Sequence, residues 1–160
     1  MYKRIFFLLV IIAVSFQVVS CGDGDKPVAY CEMRIPLEDG FYSVENENFD
    51  ATYTNGKYLV AILRISFVAG IGEGIPETLT PYEFGEFWLD KCERYANMIS
   101  DGVAYCEYYD TEGDTEHFYL EAFYRSRYAY FVVLFGTDSA RESDGRVDFL
   151  SYAQGVYFTD

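Results

Sequence analysis

His117-Phe118-Tyr119-Leu120-Glu121-Ala122-Phe123-Tyr124, then Arg125-Ser126-Arg127, then Tyr128-Ala129-Tyr130-Phe131-Val132-Val133-Leu134-Phe135, reads as two strands around a polar turn. Aromatic and β-branched residues dominate both arms, as a pleated and largely buried surface favours. Residues 103–109 add another strand candidate. Between them, residues 110–116 hold Asp110, Glu112, Asp114 and Glu116 and read as a polar acidic turn.

Working toward the N-terminus, Thr80-Pro81-Tyr82-Glu83 carries the signals of a helix start. Thr80 can cap the first N–H groups, Pro81 suits the first helical position and Glu83 closes a capping box. Behind it, Phe84, Phe87, Trp88, Cys92, Tyr95 and Ile99 recur at spacings of three and four. That period predicts a helix running to about residue 100, stopped by Asp101-Gly102. Further back, residues 49–54 and 57–67 flank Asn55-Gly56, a hairpin signal because both turn residues must accept positive φ. Residues 70–76 are rich in breakers and read as a flexible connector. Residues 28–35 alternate, with Ala29, Cys31, Met33 and Ile35 on one side, and predict a single strand. Pro36 ends it, and Leu37-Glu38-Asp39-Gly40 turns the chain into Phe41-Tyr42-Ser43-Val44. After the quoted hairpin, a polar loop covers 138–145, and Val147, Leu150, Ala153 and Tyr157 suggest a closing helix. Strands grouped around one helix imply an α+β domain over residues 28–160, its antiparallel sheet covered by a central capped helix and a C-terminal helix.

The N-terminal region has a different character. Lys3 and Arg4 precede an apolar run over residues 5–14, too short to span a bilayer confidently and the right length for a secretory signal. It ends in Val18-Val19-Ser20-Cys21, which resembles the bacterial lipobox, with Val18 where the pattern favours Leu. The resemblance implies a lipoprotein signal peptide over residues 1–20 and lipidation at Cys21. A palmitate-bearing diacyl anchor supplies the two chains that stable attachment needs. Residues 21–27, polar and breaker-rich, then read as a tether. The implied location is the cell envelope outside the cytoplasm, facing the periplasm from the outer membrane in a Gram-negative host.

A second resemblance rests on Arg34-Ile35-Pro36-Leu37-Glu38-Asp39-Gly40-Phe41 and on the order of elements. Both are similar to Mog1/PsbP-like domains, a strand, a proline and a short turn leading to a Gly-aromatic pair. That family implies a binding or assembly module and assigns no functional residue here.

Composition narrows the chemistry. The chain has 12 Lys+Arg and 26 Asp+Glu; without Lys3 and Arg4, 10 basic residues face 26 acidic ones, a charge of −16. That argues against nucleic-acid partners, which need a basic face. His117 is the only histidine, and no Gly-x-Ser-x-Gly elbow occurs. A Cys92–His117 or Cys106–His117 dyad is the thiol-enzyme alternative. No His/Cys cluster has zinc spacing. The run from Asp110 to Glu116 lacks EF-hand spacing, but its four carboxylates are the oxygen ligands a hard cation prefers, and a ligand or cation sensor at this tip is a second alternative. Gly70-Ile71-Gly72-Glu73-Gly74 places a carboxylate where a phosphate would sit, against a nucleotide loop. The expectation is therefore a non-enzymatic module without cofactor or metal, partnered by the membrane through its anchor and by an envelope protein. Tyr108, Tyr109, Tyr119, Tyr124, Tyr128 and Tyr130 crowd the C-terminal strands. They read either as core with wet hydroxyls or as an aromatic platform for a partner.

Export favours disulfides. A helix from Cys92 to Ser100 advances about 12 Å, and a strand from Gly102 to Cys106 returns about 13 Å. If the chain doubles back at Asp101-Gly102, Cys92 and Cys106 meet, and Cys31 is left over as the competitor.

The anchor has a direct test. Cys21→Ala is expected to abolish metabolic labelling with a fatty acid, and equal labelling of the variant would refute lipidation.

Overall fold

Alternation along the quoted hairpin gives one sheet two apolar faces, and each face has acquired its own cover. The computed structural model describes residues 27–38, 40–112, 115–137 and 145–159. The elements are β1 (Val28–Tyr30), β2 (Met33–Ile35), β3 (Tyr42–Val44), β4 (Ala51–Thr54), β5 (Tyr58–Ser66), α1 (Phe67–Gly72), α2 (Pro81–Lys91), β6 (Ile99–Ser100), β7 (Ala104–Glu112), β8 (Thr115–Arg125), β9 (Ala129–Thr137), α3 (Arg146–Gln154) and β10 (Tyr157–Phe158). The large sheet is antiparallel throughout, in the order β3-β4-β5-β9-β8-β7-β6. A small sheet, β1-β2-β10, packs on it. This is the expected α+β class.

One face carries Val60 and Ile62 of β5, Leu120 and Ala122 of β8, and Phe131, Val133 and Phe135 of β9. Met33 and Ile35 of β2 and Phe149 and Tyr152 of α3 close over it. The other face carries Cys106, Phe123, Tyr130 and Val132 beneath Phe84, Trp88 and Leu89 of α2. β9, central and covered on both sides, is buried along its whole length, which explains its nearly continuous apolar sequence.

Several local signals hold. Asn55 Oδ1 accepts from the N–H groups of Lys57 (3.0 Å) and Tyr58 (2.8 Å), and Gly56 takes φ +84°, so the β4–β5 hairpin turns where expected. The capping box of α2 is complete: Thr80 Oγ1 accepts from the Glu83 N–H at 3.3 Å, and Glu83 Oε2 accepts from the Thr80 N–H at 2.8 Å.

Others are corrected. Residues 28–35 are two short strands, with Val28 paired to Ile35 around a turn at Cys31-Glu32. Cys31 is exposed with φ +49°, so it does not face the apolar side. A tight two-residue turn preserves the period of two, and alternation alone cannot reveal it. Glu32 fixes this turn to the main sheet, its Oε1 accepting from Ser126 Oγ at 2.7 Å and its two oxygens from Arg64 at 3.3 Å. Those bonds hold its carboxyl below the ordinary range despite the upward push of burial.

β5 stops at Ser66, whose Oγ accepts from the Ala69 N–H at 3.2 Å and caps α1. A short helix thus replaces the strand end and part of the expected connector. The acidic run is mostly ladder rather than turn, because β7 and β8 pair out to Glu112↔Thr115. α3 ends at Gln154, and Tyr157 lies in β10, paired with Arg34.

The largest correction concerns α2, which ends at Lys91 rather than near residue 100. Glu93 takes φ +56°; residues 92–98 then run on to β6, which holds Ile99. Tyr95, expected on the buried helix face, is fully exposed. Instead Ala96 and Met98 pack against the α2-side core. The predicted signal peptide, Cys21 and all of the tether but Pro27 lie outside the described residues.

Candidate functional site

On the α2 side of β8, Glu121 sits between Tyr119 and Phe123 in an otherwise apolar row. It is only 2% exposed. A carboxylate cannot stay there without partners, and three elements supply them. Trp88 of α2 donates its Nε1–H to Oε1 at 3.2 Å. Arg94, just beyond α2, donates from Nη1 to Oε2 at 2.6 Å. The same Nη1 donates to the Tyr108 hydroxyl of β7 at 2.6 Å, and the guanidinium lies 4.7 Å from the Tyr108 ring centre. Tyr108 stacks on Tyr119 at 5.4 Å. Tyr119 in turn lies on Gly136 of β9, where a Cβ would meet its ring at 2.8 Å.

The electrostatics follow from burial. Desolvation pushes the Glu121 carboxyl above the ordinary range, against the pull of Arg94 and the Trp88 bond. Burial also drives the Tyr108 hydroxyl well up, helped by Glu121. For Arg94, burial works against the charged form, but Glu121, Tyr108 and Cys92 together more than offset this and the guanidinium is held up.

Both thiols lie near this cluster. Cys106 pairs with Glu121 across the β7–β8 ladder and is buried, while Cys92 caps the end of α2 and is half-buried. Burial pushes the Cys92 thiol up to about 11 and the Cys106 thiol further. Cys31, Cys92 and Cys106 are all free thiols, and the expected Cys92–Cys106 disulfide is not formed. Its geometric premise fails, because a helix that stops at Lys91 cannot advance to Ser100. His117 pairs with Asp110 in the ladder, four positions along β8 from Glu121. At 3.3 Å per residue that is about 13 Å, so the register keeps Cys106 and His117 apart.

The tyrosines divide. Tyr124 donates to the Ala153 carbonyl at 2.8 Å and Tyr130 to the Pro76 carbonyl at 2.7 Å, both from the core. Tyr109 and Tyr128 are exposed at opposite ends of the hairpin system, so the six do not form one platform. The acidic tip forms no cluster with metal-ligand geometry among the described residues. An open cleft of about 410 Å³ lies between Pro81, Tyr82, Val103, Phe123, Gln154 and Val156. Two of its polar side chains are engaged, Thr80 in the capping box and Gln154 with the Asp101 carbonyl at 2.9 Å.

What the cluster builds is a rim. Arg94, Ala96 and Met98 turn inward, and the intervening Glu93, Tyr95 and Asn97 are exposed. Next to them runs β7, which β6 covers only at Ala104 and Tyr105. Sequence reasoning missed this arrangement. The available signal was Glu121 itself, a lone carboxylate on the alternating apolar arm of the hairpin.

No family model and no curated protein matches the sequence. Thirteen chains of solved structures match the fold. A crystal structure from Bacteroides thetaiotaomicron has a TM-score of 0.53 at 9% identity, over 81% of this chain and 46% of that one. This chain therefore spans less than half the length of that protein. The solution structure of cyanobacterial PsbP (CyanoP) from Synechocystis sp. PCC 6803 has a TM-score of 0.47 at 13% identity, over 88% and 98% of the two chains. Likeness at such identities is likeness of fold.

Arg94→Met should cost about 3–5 kcal/mol at neutral pH, because it strands the Glu121 carboxylate in the core. Glu121→Gln added to that variant should recover part of the loss. Urea unfolding of the two variants measures both effects, and a loss within about 0.5 kcal/mol, typical of a surface change, would show that the pair is not structural.

Proposed function

We propose that this chain is a membrane-anchored lipoprotein acting as a non-enzymatic binding or assembly module of the cell envelope. Its recognition surface is the rim formed by residues 92–98 and β7. One observation carries the reading: a fully exposed tyrosine, Tyr95, stands next to an arginine fixed to a buried carboxylate. Ordering Tyr95 before binding lowers the entropic cost of using it, and tyrosine is among the residues that dominate interface energetics. The chemistry-bearing side chains support the same reading, since Glu121, Arg94, Cys92 and Cys106 lie within the fold rather than in an open cleft. Lipidation at Cys21 would hold this rim close to a membrane through a tether of at most about 25 Å over residues 21–27.

A photo-crosslinking residue at position 95 of the full chain, in its native membrane, tests the reading. It is expected to give a discrete adduct with an envelope protein, whereas the same probe at Val68, exposed on α1, gives none. Equal adducts from both positions, or none from position 95, would overturn the proposal.

A further inference from the structure

α1 and the turn between β8 and β9 share one end of the large sheet and form an apolar corner there. β5 ends at Ser66 opposite Ala129, and β8 ends at Arg125 opposite Tyr130. The Phe67 N–H donates to the Tyr128 carbonyl at 3.0 Å, which sets the first turn of α1 against the β8–β9 turn. The inner face of α1 belongs to the core: Gly70 is buried, and a Cβ there would meet Ile65 and Ile75 at 3.5 Å. The outer face carries Val68 and Ile71, three positions apart and therefore neighbours. They are 87% and 63% exposed, and Tyr128 on the adjoining turn is exposed as well. None of the three belongs to a core cluster.

The charges around this corner specify what covers it. Arg127 lies 5.7 Å from the Tyr128 ring centre and Arg125 lies 5.1 Å from that of Phe67; both arginines are exposed. Arg125 also donates to the Glu77 carbonyl at 3.0 Å. Glu73, at the end of α1, is paired with Lys91 at 3.6 Å, while Glu45 and Glu47 lie between β3 and β4 at the outer edge of the sheet. Aliphatic side chains flanked by arginine and tyrosine suit a bilayer interface, where the former enter the acyl boundary and the latter stay at headgroup level. Guanidinium is the side chain best shaped for a phosphate. The far end of the sheet is acidic: Asp110 and Glu116 are exposed there, about 30 Å from Arg125 at 3.3 Å per strand residue. A chain charge of −14 opposes an anionic surface, so the matching surface is zwitterionic. The path of the chain agrees. From Val28 to Cys31 is about 10 Å of strand, and Glu32, next in sequence, accepts from Ser126 Oγ at 2.7 Å, one residue before Arg127. A lipid on Cys21 would thus hold a bilayer near this corner, and a tethered contact needs little affinity of its own.

We propose that the corner of Val68, Ile71 and Tyr128 docks on the surface of a zwitterionic phospholipid bilayer, with Arg127 on lipid phosphates. The inference rests on the lipid anchor of the binding reading and gives the anchored domain an orientation. The acidic β7–β8 end is carried away from the membrane, and Val68 meets lipid while Tyr95 meets protein.

The test uses the lipidated full chain in phosphatidylcholine vesicles, with a photo-crosslinking residue at position 68 or at position 42. Tyr42 is exposed on β3 and pairs with Thr54 toward the opposite end of the sheet. Phospholipid adducts, read by mass spectrometry, should be about tenfold more abundant at position 68, the scale of burying one aliphatic side chain. Ile71→Asp should lower the position-68 yield by a similar factor, and Ile71→Leu should preserve it. If Ile71→Asp does not fold, the comparison of positions 68 and 42 in the parent chain still decides. Replacing phosphatidylcholine with phosphatidylglycerol should reduce the yield; a rise would overturn the zwitterionic assignment. Equal lipid yields at the two positions, or a protein adduct at position 68 in the native membrane, would overturn the inference. If Cys21 still takes up fatty acid in that case, the anchored binding reading stands. Loss of that label would remove both.

Discussion

A single carboxylate organises the outer half of this molecule. Glu121 lies in an apolar row and is joined to Trp88, Arg94 and, through Arg94, Tyr108. It therefore links β8 to α2, to the segment after α2 and to β7. An ion pair in the interior contributes little net stability compared with apolar packing, because desolvation of both charges offsets their attraction. What it does provide is a geometric requirement. Arg94 must face inward, so the chain cannot continue α2 on its original face, and Glu93 takes the left-handed conformation. Tyr95 then has no course but outward. The exposed rim is thus a consequence of a buried constraint.

The two sides of the sheet accordingly differ in kind. On the α3 side, two tyrosine hydroxyls are answered close at hand: Tyr124 bonds the Ala153 carbonyl and Tyr58 bonds Asp148 Oδ2 at 2.7 Å. Stacked rings of Phe118, Phe135 and Phe149 fill the space. That side holds the N-terminal hairpin and the C-terminal helix on the sheet. The α2 side carries the ion pair, both half-buried and buried thiols and the edge of β7. A module that must present a fixed surface gains from such a division, with one side supplying apolar cohesion and the other fixing a loop.

Much of this architecture is legible in the sequence because it is local. The capping box at Thr80 and Glu83, the Asn55-Gly56 turn and the aromatic hairpin each depend on neighbours a few positions apart. The failures share a cause, since long-range partners decided them. Cys92, Tyr95 and Ile99 continue a helical period, yet Arg94 is claimed by Glu121, which lies 27 positions away. Residues 28–35 keep a strand period through a turn that Glu32 secures to Ser126 across the fold. Tyr157 fits a helical face but pairs with Arg34 at the other end of the chain. For the site, Glu121 is visible in sequence as a charge within an apolar strand; its partner is not, because no periodicity connects them.

The central claim is that Glu121 holds residues 92–98 in place against β7. Amide hydrogen exchange of those residues in Glu121→Gln, compared with the parent chain, measures it most directly. Selective loss of protection at Cys92, Glu93 and Arg94, whose N–H groups bond the carbonyls of Trp88, Asp90 and Leu89, with β9 still protected to the level of global unfolding, is the expected result. Unchanged protection of that segment would contradict the claim, and would mean that Ala96 and Met98 packing alone positions the rim.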